Sequence, residues 1–286
     1  MTVSNSVVPV PRRRRRSRNR VFGVVRAALL VLVVVAFGFP LVWMLLASFQ
    51  PSIVITSADS LAEFRFTVEN YVSVFQRQSF AVFAWNSFLI AAVSTALSLV
   101  IGVPAAYAIA RWGMHKSSMV VLIARVIPGI SLLVPWYYIF AQIDLVDSYL
   151  ALILTHMFVG LPLVVWIMMN TFEALPIELE EAGQIDGLSR IGSFVRVSLP
   201  LATPGIATAS ILSMIFSWNN FLFALVLSGA NTKTLPVAIF NFISYASIDW
   251  GGLMAASVVI TLPVMLISLF MQRYIVSGLT GGATKG

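Results

Sequence analysis

The charged residues divide the chain into long stretches that contain no Asp, Glu, Lys or Arg. Six of these stretches have 18 or more residues, and they cover 27–58, 78–110, 126–143, 148–172, 197–232 and 250–272. An apolar run of this length without charges is typical of a transmembrane helix. Lipid offers no water to the backbone, so such runs must be helical. The pattern therefore predicts an all-α integral membrane protein with six transmembrane helices.

A seventh charge-free stretch, 234–248, is shorter and more polar than the others. It has 15 residues and is interrupted by Pro236, Asn241 and Ser244. A segment of this length does not span a bilayer easily. We expect a partly embedded loop there.

Composition agrees with the membrane assignment and removes several classes of function. Hydrophobic residues make up 59% of the 286 residues and charged residues only 10%, whereas a soluble domain carries about 25% charged residues. The absence of cysteine excludes a disulfide framework, a thiol nucleophile and thiolate metal sites. Two isolated histidines offer no metal pair and no nucleophile–base set, so we expect no catalytic residues and no bound metal.

The distribution of basic residues predicts the orientation. Residues 1–26 contain eight arginines. With that segment in the cytoplasm, six further basic residues lie inside (Arg111, Lys116, Arg190, Arg196, Arg273 and Lys285) and three lie outside (Arg65, Arg77 and Lys233). This asymmetry is the positive-inside rule, and it favours a topology anchor over a nucleic-acid patch for the arginine run. Both termini are then cytoplasmic, with a basic tail over 1–26, a six-helix domain over 27–276 and a second tail over 277–286.

The external segment 59–77 is mixed in charge and rich in aromatic residues. It fits two structures. One is a helix lying along the outer membrane surface, and the other is a docking surface for an external partner.

The loop 173–204 between the fourth and fifth spans is the most informative part of the sequence. Residues 173–196 hold five acids and two bases on a face that is otherwise basic. Pro176 suits the first turn of a helix, Gly187 is placed to end that helix, and Ser189 can cap a second short one. Anionic lipid heads would repel an acidic connector, so this helix–turn–helix is better explained by a protein partner.

The same loop resembles the EAA loop of bacterial ATP-binding-cassette importer permeases. The segment EEAGQIDGLSRIGSFVRVSLPLATPG, residues 180–205, matches that pattern at Glu181, Ala182, Asp186, Gly187, Phe194, Leu199, Pro200 and Pro204. It departs from the pattern at Gly183 and Leu188, where the family has Ala. Further segments are similar to the maltose-type carbohydrate-uptake family, in particular to the second of its two permease subunits: FTVENYVSVF (66–75), AAYAIAR (105–111), IPGISLLVP (127–135), SWNNFLFAL (217–225) and QRYIVSGLTGGATKG (272–286).

The resemblance implies a fold, a function and a set of partners. The fold is that of a type I importer permease in the bacterial plasma membrane, and the function is ATP-driven import of a di- or oligosaccharide or a related polyol. The partners are a second permease subunit, two cytoplasmic ATPase subunits and an extracytoplasmic sugar-binding protein. The residues that dock on the ATPase are then Glu180, Glu181, Ala182, Gly183, Asp186, Gly187 and Phe194.

ATP and Mg²⁺ are expected on the partner ATPase. The chain has no G-x-x-x-x-G-K-[ST] phosphate loop, because the glycines at its end are followed by Lys and Gly in the wrong order. The rival reading is an ion-coupled carrier, which needs carboxylates within the spans. No acidic residue lies inside the six predicted spans.

The substrate path is predicted from polar residues and helix breaks. Ile127-Pro128-Gly129 and Gly160-Leu-Pro162 are expected to interrupt spans 3 and 4, and such breaks persist where they line a cavity. Trp218, Asn219 and Asn220 can stack on a sugar ring or bind its hydroxyls, although either Asn can equally bind a neighbouring helix. Arg125 is either a functional intramembrane charge or a side chain that reaches back to the interface.

Overall fold

The computed structural model describes residues 13–57, 64–77, 79–244 and 247–280. Apart from one isolated bridge between Ile243 and Ile248, the regular structure of these residues is helical. Its α-helices are α1 (Arg13–Ala47), α2 (Ser52–Ile55), α3 (Glu69–Val72), α4 (Phe80–Arg111), α5 (His115–Val126), α6 (Leu133–Gln142), α7 (Tyr149–Ala174), α8 (Glu178–Ile185), α9 (Arg190–Ser193), α10 (Leu199–Leu201), α11 (Thr203–Trp218), α12 (Leu222–Leu227), α13 (Leu235–Ala238) and α14 (Trp250–Thr280). Short 3₁₀-helices lie at Gly129–Leu132 and Ile239–Phe242, and π-helical turns at Ser73–Arg77 and Phe194–Ser198.

Within the described ranges, four helices are long and apolar enough to cross a membrane as straight rods. They are Phe22–Ala47, Phe80–Arg111, Tyr149–Ala174 and Trp250–Leu269. Two further pairs meet the same test together but are sharply bent. The pair Lys116–Val126 and Gly129–Gln142 bends by 90°, and the pair Arg190–Leu201 and Thr203–Trp218 by 72°. Four of the charge-free runs overlap the four unbroken helices, and the runs 126–143 and 197–232 overlap the second arms of the two bent pairs.

Helix α1 begins and ends earlier than the charge pattern suggested. It starts at Arg13, within the predicted basic tail, and ends at Ala47. The remainder of the first run contains Pro51 and the separate short helix α2. At the far end of the chain, α14 continues to Thr280, past the predicted start of the C-terminal tail at 277. Residues 1–12 and 281–286 lie outside the described part of the structure.

The two predicted helix breaks have opposite outcomes. The break at Ile127-Pro128-Gly129 is confirmed, because α5 ends at Val126 and a 3₁₀ turn starts at Gly129. The predicted interruption at Gly160-Leu-Pro162 is wrong, because α7 is continuous across Pro162. Packed neighbours can hold a helix through a proline, and α11 packs so closely here that a Cβ on Gly160 would lie 3.5 Å from Ser213 Oγ.

Helices α4 and α7 form the centre of the bundle, and α11 packs against both. Where these three helices meet, their small polar side chains face one another. His156 Nδ1 lies 2.7 Å from Ser217 Oγ, and Ser94 Oγ lies 3.2 Å from the same oxygen. His156 is therefore a helix-packing residue. The contacts join α7 to α11 and α4 to α11 inside an otherwise apolar core.

At the end of the bundle where α7 begins, Asp147 ties two loops together. Its carboxylate accepts five hydrogen bonds from Gly229, Asn231 and Thr232, at 2.7–3.2 Å. Partial burial raises the pKa of Asp147, but the hydrogen bonds outweigh that effect and hold the pKa below its ordinary value. The residue itself has a positive φ of 59°. It holds the 229–232 loop against the start of α7.

The described part of the external segment 59–77 packs onto the end of α1. Asn70 Nδ2 donates to the carbonyl oxygens of Ser48 and Gln50, each at 2.8 Å. The rings of Tyr71 and Phe49 are 5.0 Å apart. The stretch 234–248, predicted as a partly embedded loop, forms α13 and a 3₁₀ turn that pack against α4 and α14.

Candidate functional site

The α8–α10 loop, residues 175–201, connects α7 to α11 as two short helical segments. Helix α8 ends in a Schellman motif, because the N–H of Gly187 donates to Gln184 and the N–H of Leu188 to Gly183, at 3.1 and 2.9 Å. Gly187 has φ +94°, a conformation that glycine adopts without strain. Ser189 Oγ then accepts from the N–H of Gly192 at 3.1 Å and caps α9. The predicted helix–turn–helix is present, with Gly187 and Ser189 in the expected roles.

Glu180 is buried on the inner face of this loop, where only 5% of it is exposed. Tyr107 Oη donates to Oε2 at 2.6 Å. Arg111 Nε and Ser198 Oγ both donate to Oε1, each at 2.7 Å. Arg111 also donates from Nη2 to the carbonyl of Leu175 at 3.3 Å. One carboxylate therefore joins the last turns of α4 to α8 and to the π turn that precedes α10.

These partners keep the buried carboxylate ionised. Burial alone raises the pKa of Glu180, since a low-dielectric surrounding disfavours the charged form. The hydrogen bonds from Tyr107, Ser198 and Arg111, together with the charge of Arg111, outweigh burial and hold the pKa of Glu180 below its ordinary value. The ion pair is mostly shielded from solvent, with 10% of the Arg111 side chain and 6% of the Glu180 side chain exposed.

Phe194 and Gly183 strengthen the same inward contact. The ring of Phe194 lies 4.5 Å from that of Tyr107 and 6.2 Å from that of Phe172. A Cβ on Gly183 would lie 3.2 Å from Leu188 Cδ1 and 3.3 Å from Val197 Cγ2. Gly183 thus allows the two arms of the loop to approach closely.

The opposite face of the loop is exposed and holds the other predicted docking residues. Glu181, Ala182, Asp186 and Gly187 are exposed. Two large apolar side chains stand beside them, Ile185 at 86% and Ile191 at 77% exposure. The seven predicted docking residues therefore divide into two groups. Glu180 is buried and Gly183 and Phe194 are half-buried, whereas the other four are exposed.

A cavity of about 1040 Å³ lies where the bend between α5 and α6 faces α7 and the end of α11. Aromatic and polar side chains contribute to its lining, among them Arg125, Trp136, Phe158, Asn219, Asn220 and Phe221. The predicted pair of asparagines thus lines a cavity together with the predicted break at Ile127-Pro128-Gly129. The guanidinium of Arg125 lies 4.9 Å from the ring centre of Trp166.

Trp218 does not line this cavity. It is buried against α14, where its Nε1 donates to the carbonyl of Ile260 at 3.1 Å. Helix α11 ends at Trp218, so the next two residues leave the helical path and turn toward the cavity. Both also bind nearby backbone: Asn219 Nδ2 donates to Ile215, and Asn220 Oδ1 accepts from the N–H of Phe223.

Neither the partners of Glu180 nor the aromatic lining of the cavity is predicted from the sequence. Tyr107 and Arg111 belong to the segment AAYAIAR, which carried part of the resemblance but no assigned role. Trp136 and Phe158, whose rings are 5.3 Å apart, lie in apolar runs with no polar neighbour to mark them. Among the described residues, no group of three His, Asp or Glu side chains is arranged to hold a metal ion.

Comparison with solved structures defines the class of protein. The chain is similar to a chain of a bacterial ABC transporter involved in the import of the acidic polysaccharide alginate, with a TM-score of 0.75 and 22% identity over 93% of this chain and 99% of that one. The fold is therefore that of an ABC type I importer permease.

The family follows from the sequence comparisons. Residues 98–281 match the family described as binding-protein-dependent transport system inner membrane component, and the chain belongs to that family. It is 36% identical over 254 residues to a sulfoquinovosyl glycerol transport system permease of Agrobacterium fabrum, and the alignment covers 87% of this chain and 89% of the relative. It is 35% identical over 263 residues to a trehalose/maltose transport system permease of Thermococcus litoralis, which covers 90% and 94%.

Proposed function

We propose that the chain is the permease subunit of an ATP-driven importer for a sugar, either a di- or oligosaccharide or a related polyol. Its partners are a second permease subunit, two ABC ATPase subunits that bind ATP and Mg²⁺, and an extracytoplasmic sugar-binding protein. The named relatives transport a sulfoquinovosyl glycerol and trehalose or maltose, and these cargoes support the assignment to carbohydrates.

The observation that carries the proposal is the two-sided α8–α10 loop. Its inner side is held by Glu180, whereas Ile185 and Ile191 are exposed in the same loop as the exposed acids Glu181 and Asp186. Exposed apolar side chains rimmed by charge are typical of a protein interaction site. In this proposal the loop is cytoplasmic, as the basic residues indicate, and its outer side fits a partner cleft that is apolar at the centre and basic at the rim.

The cavity beside α7 supports the sugar path. Its volume of about 1040 Å³ slightly exceeds the range of about 300–1,000 Å³ that small-molecule pockets occupy. Its lining combines aromatic rings, which can stack on a sugar ring, with the amides of Asn219 and Asn220, which can donate to and accept from hydroxyls. An ion-coupled carrier is not favoured, because the acids of the described residues lie in loops, in short helices and in the last turn of α7.

The docking assignment is tested in vesicles that contain the full importer. We expect Glu181→Lys combined with Asp186→Lys to abolish sugar uptake and sugar-stimulated ATP hydrolysis, with membrane insertion unchanged. The matched control is Asp144→Lys, which reverses an exposed charge between α6 and α7, outside the loop. Unchanged uptake and hydrolysis in the double variant would refute the assignment.

A further inference from the structure

Glu180 stands apart from the other acids of the α8–α10 loop. It is the one that faces inward, and its three donors come from two separate parts of the fold: Tyr107 and Arg111 in α4, and Ser198 at the end of the π turn. Its own carbonyl accepts from Ser193 Oγ at 3.3 Å. Side chain and main chain together hold both arms of the loop to the bundle.

A pure stability role explains this arrangement poorly. The desolvation of a buried ion pair offsets much of its Coulombic attraction, and an apolar replacement of similar volume is often as stable. What such a pair supplies instead is a defined geometry, because charge-assisted hydrogen bonds are short and directional. Three donors at 2.6–2.7 Å leave the carboxylate of Glu180 one orientation.

The α8–α10 loop connects directly to α7 and α11, which form two walls of the cavity. Helix α7 shares a buried core with α4 and α11, and it contributes Phe158, Gly160 and Pro162 to the cavity lining. Helix α11 follows directly from the loop and ends at the cavity. Its first turn approaches α7 so closely that a Cβ on Gly205 would overlap the side chain of Thr171. A displacement of the loop therefore moves α7 and α11 together only while the loop is fixed to the bundle.

We propose that Glu180 is a positioning residue: with Arg111, Tyr107 and Ser198 it makes the α8–α10 loop and the adjoining ends of α4 and α7 one rigid unit, which transmits the motion of a docked ATPase to the cavity. The inference rests on the proposed function. It also assigns Glu180 a role different from that of Glu181, the next residue, whose side chain is exposed for docking.

The test measures sugar transported per ATP hydrolysed, with the full importer reconstituted in vesicles. Glu180→Gln keeps the size of the side chain and removes its charge. We expect the variant to assemble with its ATPase and to hydrolyse ATP while the sugar-to-ATP ratio falls about five-fold or more, the lower end of typical coupling between sites. Asp144→Asn, on an exposed acid between α6 and α7 and outside the loop, should keep the ratio of the unsubstituted importer. A purely structural role would lower the amount of assembled complex and leave the ratio per complex unchanged.

An unchanged ratio in assembled Glu180→Gln importer would overturn the inference. If that variant does not assemble, Tyr107→Phe and Ser198→Ala each remove one donor and keep the ion pair. Each should lower the ratio, by less than the loss of the charge would, and an unchanged ratio in both would again overturn the inference. The proposed function fails separately, if the unsubstituted chain does not assemble with an ATPase or shows no nucleotide-dependent uptake.

Discussion

The two exposed isoleucines of the α8–α10 loop provide a sharp test of docking. Ile185, at the end of α8, and Ile191, in α9, leave 86% and 77% of their surface uncovered. Ile185 lies outside all candidate spans, and Ile191 lies in the first arm of the pair that is bent by 72°. If an ATPase cleft covers them, truncation of either side chain will weaken its association with the permease.

The size of the effect follows from the carbons removed. An Ile→Ala change deletes three carbon atoms, and a buried methylene contributes about 0.8 kcal/mol, so each variant should lose about 2 kcal/mol of association free energy. That corresponds to an increase of about 30-fold in Kd. Neither side chain is covered in this chain, so the free energy of unfolding of the permease should change by less than about 0.5 kcal/mol.

The assay is a titration of the permease pair in lipid nanodiscs with the purified ATPase, followed by fluorescence, beside a thermal unfolding scan of each variant. Leu32→Ala is the matched control. It removes the same number of carbons from a side chain that is 63% exposed on α1, and it should not change the Kd for the ATPase. The reasoning is refuted if Ile185→Ala and Ile191→Ala bind the ATPase as tightly as the unsubstituted chain, or if they lose thermal stability instead.

Three further predictions concern other parts of the chain. Asp147→Ala should cost at least about 2 kcal/mol of local stability, because hydrogen bonds to a charged group contribute about 1.5–3 kcal/mol each, and amide exchange in 229–232 should accelerate. In the unsubstituted chain the pKa of Asp147 is lowered, so the stability from its hydrogen bonds is complete above the ordinary Asp pKa. Protection of the 229–232 amides from exchange should therefore persist at about pH 5 and be lost only below about pH 4. Loss of this protection already at neutral pH would contradict the prediction. The Cβ of Gly187→Ala would meet no neighbour within 4 Å, but a φ of +94° would cost it about 1–2 kcal/mol of strain, so sugar uptake should be reduced. Gly187→Pro should abolish uptake with membrane insertion intact. Equal uptake by both variants and by the unsubstituted chain would speak against the turn. Trp218→Phe should lower the melting temperature and leave the KM for sugar uptake unchanged. Asn219→Ala should change the KM for uptake and leave the melting temperature unchanged. A changed KM in the Trp218 variant alone would indicate that Trp218, and not Asn219, contacts the sugar.

Local signals predicted the α8–α10 loop well. The conformation of Gly187 and the cap at Ser189 depend on residues only a few positions away, so the sequence specifies them directly. The break at Ile127-Pro128-Gly129 is predictable for the same reason. Charge-free runs also located the apolar helices, because lipid tolerates few charges whatever the tertiary contacts.

The direction in which each side chain faces could not be predicted in the same way. Glu180 and Glu181 are neighbours with the same chemistry, and Glu180 turns inward toward Tyr107 and Arg111, which lie 73 and 69 residues earlier in the chain. Trp218 and Asn219 separate because α11 ends between them. Pro162 leaves α7 intact because packing against α4 and α11 overrides the local preference. Helices that are apolar on all sides have no periodic face from which such contacts can be read.

The 90° bend between α5 and α6 has a consequence for the sugar path proposed above. A helix that ends within a span leaves its last four carbonyl oxygens without intrahelical partners, and Pro128 brings no N–H to bind them. These main-chain carbonyl oxygens are present whichever side chain the residue carries. In the proposed sugar path, truncating side chains one by one would therefore underestimate what this wall contributes to sugar binding.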